Sequence, residues 1–102
     1  MDSVVQAKLP QVLEFCRRYR VRRLDLFGSA ATGEFDPSRS DLDFVLEYLP
    51  EAKAFYPDAY FELKADLEAL FGRSVDLVML NAIRNPYLRA AVEKTRVSLY
   101  AA

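Results

Sequence analysis

GSAATGEFDPSRSDLDFVLEY, residues 28–48, holds the pattern that decides how this chain is read. A strand-like run, VRRLDLF at 21–27, ends in Gly28 and Ser29, and a second apolar run opens with Asp41 and Asp43 on alternate residues. Burying an unpaired carboxylate is costly, so two of them at the mouth of a hydrophobic strand need a shared partner. In a strand, residues i and i+2 project to the same face, which sets Asp41 and Asp43 side by side. Carboxylates that close repel, and one is forced to stay protonated unless a cation sits between them. A hard, oxygen-seeking divalent ion such as Mg²⁺ meets that requirement.

Asp76 repeats the oddity inside SVDLVML, 74–80, between Val75 and Leu77. If this third strand lies beside DLDFVLEYL, 41–49, all three carboxylates can converge. Three convergent carboxylates can hold two Mg²⁺ ions, which clamp attacking and leaving oxygens in phosphoryl-type displacement. Gly28 lets backbone approach a ligand closely, and Ser29 offers a hydroxyl and an N–H at the start of a helical turn, a geometry that favours phosphate.

Outward from this stretch, residues 3–20 carry Val5, Leu9, Val12, Leu13, Phe15 and Cys16 at helical spacing, with Pro10 either in a first turn near Lys8 or at a kink. In 21–27, Leu24 and Leu26 share one face, and Val21 and Phe27 the other. AATGEF reads as a short helical turn, DPSRS as a loop, and PEAKAFYP as a second loop. Asp58 is a candidate N-cap for a helix whose stripe is Tyr60, Leu63, Leu67, Leu70 and Phe71, stopped by Gly72. NPYLRAAVEKT gives a last short helix and VSLYA a final edge strand. The order implies an α/β (α+β) fold, a mixed twisted sheet with helices packed on one face.

Composition narrows the function. The 102 residues, 52% hydrophobic and 28% charged, fit one domain, 1–102, with a single core. A net charge of −1 gives no basic field for non-specific nucleic-acid binding. The chain has no histidine, which excludes His-based triads, imidazole bases and His-type zinc sites within it. One cysteine, Cys16, forms no internal disulfide; it suits a reducing cytoplasm and reads as a core residue. No run is long enough to span a membrane, and the acidic N-terminus lacks a signal-peptide layout. Arg17, Arg18, Arg20, Arg22 and Arg23 read by default as a solvated helix end and linker. Asp25 is expected to pair with a neighbouring Arg rather than join the metal site, and Glu34 and Glu47 to lie on the surface. Phe55, Tyr56, Tyr60 and Phe61 read as core, with room for a partner-facing patch.

FGSAATGEF…SDLDFVL followed by VDLVML resembles the nucleotidyltransferase superfamily related to polymerase beta, with its Gly-Ser, Asp-x-Asp and later third Asp. The short length, FELKADLEALFGRSVDLV and NAIRNPYLRAAVEKTRVSLY extend the likeness to the minimal nucleotidyltransferases (MNT proteins), over nearly the whole chain. The resemblance implies that Gly28 and Ser29 hold the nucleotide triphosphate and that Asp41, Asp43 and Asp76 bind Mg²⁺ and carry catalysis, Asp76 also activating the attacking hydroxyl. It implies transfer of AMP from ATP to a partner-protein hydroxyl, as in antitoxins that adenylylate a HEPN-type ribonuclease toxin. Many relatives carry Arg where Thr32 stands, and the 29–41 connection is one residue longer than usual. A nucleotide-binding module acting by direct contact, or transfer to RNA or a small molecule, remain the alternatives. No residues are left for the nucleic-acid-gripping domains of the polymerase-type relatives.

Overall fold

A computed structural model describes residues 2–33, 41–55 and 58–102. The DPSRS loop, Glu34 and Tyr56 lie outside the described residues. The predicted N-terminal helix is two helices, α1 (Ser3–Ala7) and α2 (Leu9–Arg18), separated at Lys8. Pro10 explains the break: without an N–H it cannot continue α1, but it is tolerated in the first turn of α2. Asp2 caps α1 by accepting the Val4 N–H.

Strands β1 (Val21–Phe27), β2 (Leu42–Tyr48), β3 (Val75–Met79) and β4 (Val97–Ala101) form one sheet in the order β3-β2-β1-β4. β1 pairs antiparallel with β2 and β4, and β2 pairs parallel with β3, so the sheet is mixed. The parallel pair needs a crossover, which α4 (Asp58–Phe71) supplies. Gly72, at φ +66°, takes the left-handed turn that ends α4. Residues Pro50–Phe55, predicted as loop, form a 3-10 turn.

Helices cover both faces of the sheet, not one. Val12 and Cys16 of α2 and Leu63, Leu67 and Phe71 of α4 pack against Leu24, Leu26, Phe44, Leu46 and Leu77. The Phe44 and Phe71 rings lie 6.2 Å apart. Burial pushes the Cys16 thiol up to about 12, the Arg17 charge opposing only weakly, so the side chain is an inert core group. On the other face Phe27 and Val45 pack with Ile83 and with Val92 of α5 (Pro86–Thr95), whose N-terminus is capped by Asn85. Val21 joins the first face with Leu24, not the second with Phe27. A bulge between Val21 and Arg23 accounts for this, because an extra residue reverses the alternation.

β3 is an edge strand, and α4 covers its outer side. Val75 N–H donates to Glu68 Oε2 at 3.1 Å, and the Tyr60 hydroxyl donates to the Leu77 carbonyl at 2.6 Å. Tyr60 is half-buried, its ring 5.2 Å from the exposed Phe61. Lys8 Nζ reaches the Leu70 carbonyl at 2.7 Å, tying the α1–α2 junction to the last turn of α4. In the arginine run, Arg18 pairs with Glu14 and Asp66 and lies over the Phe15 ring, while Arg17 and Arg22 are exposed. Arg20 turns the chain from α2 into β1 at φ +56°.

Asp25 is completely buried on the α5 side of β1 and is paired twice, by Arg23 Nε at 3.0 Å and Arg96 Nε at 2.6 Å. The expected neighbour is joined by a second arginine 71 residues away, which ties the α5–β4 junction to the middle of β1. Removing one partner of a buried ion pair strands the other. Arg96→Met should therefore destabilise the fold by about 2 kcal/mol, the residual Arg23 contact keeping it below the full cost of an orphaned carboxylate. Urea unfolding should show a lower midpoint at an unchanged slope.

Candidate active site

The register of the sheet brings the odd carboxylates together. Phe27 stands opposite Asp43 across the antiparallel pair, and Asp43 stands opposite Asp76 across the parallel one. Both aspartates lie at the end of the sheet where β1 finishes and β2 and β3 begin. Asp43 is half-buried and Asp76 exposed. Asp41 precedes β2 and is exposed, and among the described residues no group of three carboxylates is gathered closely enough to hold one ion. Its charge still reaches Asp43. Burial first, then the Asp76 charge and a hydrogen bond with Asp76, and last the Asp41 charge, push the Asp43 carboxyl up to about 6.

Gly28 closes the site from the β1 side. It sits at φ +73°, ψ −151°, and a Cβ there would lie 2.6 Å from Asp43 Oδ2. The backbone conformation demands glycine, and any larger residue would also push the Asp43 carboxylate aside. Ser29 opens the short helix α3 (Ser29–Thr32), whose first internal donors, Ala31 and Thr32 N–H, reach the Gly28 carbonyl at 3.1 and 3.2 Å. The amides of Ser29 and Ala30 thus come before the first donor of the turn. Ala30 and Ala31 turn the buried side of α3 into the core, and the Ala30 carbonyl accepts Asp2 N–H at 2.8 Å, which anchors the turn to the start of α1. Thr32 is exposed, its hydroxyl donating to the Ser29 carbonyl at 3.3 Å.

The structure thus brings Gly28, Asp43 and Asp76 together, with Ser29 next in the chain. The expected convergence of all three carboxylates is not found among the described residues: Asp41 lies before β2 and stays exposed. Two abutting carboxylates, one of them resisting ionisation, suit a hard divalent cation, and all the donors are oxygens. One contact had no sequence signal: Gly28 N–H donates to Thr95 Oγ1 at 2.9 Å, across 67 residues.

A glycine turn set against paired acids on a mixed sheet is the arrangement on which the likeness to a nucleotidyltransferase core rests. Residues 9–99 match the nucleotidyltransferase domain family, and the chain belongs to it, as a nucleotidyltransferase of the minimal type. It is 37% identical over 79 residues to MJ0128 of Methanocaldococcus jannaschii, a candidate protein adenylyltransferase, covering 76% of this chain and 74% of that protein. A solved structure of a candidate minimal nucleotidyltransferase is 32% identical and superimposes with a TM-score of 0.75 over 95% of both chains. The Shewanella oneidensis MNT antitoxin complex with its tri-AMPylated HEPN toxin shares the fold, with a TM-score of 0.64 at 20% identity over 95% of this chain and 72% of that one.

The carboxylate pair makes a pH prediction. Asp43 holds its proton in the folded state up to about pH 6 but releases it near 3.8 when unfolded. Stability is thus fully present below about pH 4 and falls as the pH rises towards 6. In metal-free buffer, Asp43→Asn should match the parent at pH 4 and exceed it by about 1 kcal/mol at pH 7, well under the full value of the shift because the pair is screened by solvent. Urea unfolding across that range measures the difference.

Proposed function

We propose that this nucleotidyltransferase transfers AMP from ATP to a hydroxyl group of a partner protein, and that the partner is a HEPN-type toxin which it neutralises as an antitoxin. The observation that carries the reading is the close approach of the Gly28 backbone to Asp43, which stands beside Asp76 in the register of the sheet. The nucleotide triphosphate would rest on the Gly28–Ser29 turn. Asp43 and Asp76, with Asp41 at the rim, would hold Mg²⁺. When bound, Mg²⁺ supplies positive charge to the phosphates and to the oxygens that gain charge as the reaction proceeds. The acceptor oxygen bonds to the α-phosphorus, the bond from that phosphorus to the bridging oxygen breaks, and pyrophosphate leaves. Asp76, the more exposed of the paired acids, is positioned to take the hydroxyl proton.

The choice of a protein acceptor draws its support from MJ0128 and from the AMPylated toxin held by the Shewanella antitoxin. A second reading, nucleotide binding without transfer, is favoured by one observation. Thr32 stands where the resemblance expects an arginine, and its short side chain turns back onto its own helix.

Intact mass spectrometry of the protein mixed with its partner, ATP and Mg²⁺ separates the two. AMP-sized increments are expected on the partner, and an Asp43→Ala/Asp76→Ala variant should lose them by at least on the order of 10²-fold, as for removal of a preorganised electrostatic group. A complex that forms equally well with both proteins and gains no mass on the partner would leave binding alone.

A further inference from the structure

We propose that Thr95, at the last position of α5, is a positioning residue for nucleotide binding: its hydroxyl fixes the backbone of Gly28 so that the Gly28–Ser29 turn keeps its place against Asp43. The proposal rests on the nucleotidyl-transfer reading of the site.

The geometry defines what the hydroxyl does. Thr95 Oγ1 donates its proton to the Ala91 carbonyl one turn earlier, at 2.8 Å. A hydroxyl has one proton, so towards Gly28 N–H, 2.9 Å away, the same oxygen acts only as acceptor. The bond to Ala91 is common for threonine within a helix and locks the side-chain rotamer. The bond to Gly28 crosses from the second helical layer to the end of β1, at the residue whose missing Cβ lets it touch Asp43 Oδ2.

The helix end that bears Thr95 is itself held from two sides. Val92, completely buried, packs with Phe27 and Val45, and Arg96 pairs with buried Asp25. Thr95 lies between these anchors, so its hydroxyl is fixed relative to β1, and Phe27, the residue before Gly28, stands opposite Asp43. A valine at 95 keeps the shape and removes the acceptor, leaving the Gly28 amide to seek water and the turn to shift. A serine keeps the acceptor.

The test compares Thr95→Val, Thr95→Ser and Val12→Ala in ATP-dependent transfer with Mg²⁺, together with amide hydrogen exchange at Gly28. Thr95→Val should raise KM for ATP by about tenfold, the size of one hydrogen bond, with kcat within about twofold, and speed Gly28 exchange by about tenfold. Thr95→Ser should restore both. Val12→Ala, which opens a cavity on the opposite face of the sheet without touching α5 or the hydroxyl, should lower the melting temperature and leave KM unchanged. Equal KM in Thr95→Val and the parent, or an equal rise in Val12→Ala, would overturn the proposal while transfer by the parent upholds the reading beneath it. A parent protein that binds no ATP with Mg²⁺ overturns that reading, and this proposal with it, before any variant is compared.

Discussion

Asp43 faces Asp76 because β2 and β3 run parallel in one fixed register, and the rest of the molecule can be understood as what holds that register. Two carboxylates at neighbouring positions work against folding, since partial burial and mutual repulsion both oppose their ionisation. The strands that carry them must be secured elsewhere. β2 is hydrogen-bonded on both sides, by β1 and β3, and Leu42, Phe44 and Leu46 bury their side chains beneath α2 and α4. A slip of one residue would turn those three into solvent and the acids into the core, so hydrophobic burial fixes the register that the charges resist. The cost is concentrated where a cation would relieve it.

The second layer does a different job. On the site's face of the sheet the covering is thin, the turn Leu80–Ala82 and α5, packed on Phe27, Val45 and Val78. It holds on through polar anchors as much as apolar ones: Arg96 to Asp25, and Thr95 to Gly28. Both join the end of α5 to β1, so segments some 70 residues apart in sequence are tied together. The first layer stabilises the sheet, and the second aligns its active end.

Much of this was legible in the residues themselves. Gly28, Asp43 and Asp76 stood out because each breaks an apolar run in a way that folding alone does not explain, and local periodicity marked the strands and the stripe of α4. What escaped notice depends on distant segments. Val21 changes face because of a bulge created by pairing with β2, which one strand cannot reveal. The parallel partnership of β2 and β3 was only a condition in the sequence, since strand order comes from the crossover. Asp25 was assigned an arginine from its own neighbourhood, and the second came from the far side of α5. The order of elements predicts helices on one face and does not show that Val92 of the short α5 and the preceding Ile83 cover Phe27 and Val45 on the other. Asp41 followed from alternation alone, but it sits before the strand begins, where alternation no longer fixes its direction.

The two hydrogen bonds from α4 to the outer side of β3 bear on how a macromolecule could come to this site. In a parallel pair, alternate residues point their peptide groups away from the neighbour, and on β3 the Val75 N–H and the Leu77 carbonyl are turned to the margin of the sheet. Glu68 and Tyr60 occupy both. At these two positions a foreign chain finds the partner atoms already taken, which blunts the margin of β3 as a template for an added strand. A macromolecule that reached Asp76 would meet that guarded margin, and would come to the carboxylate from above the plane of the sheet, as a residue on a helix or a loop does.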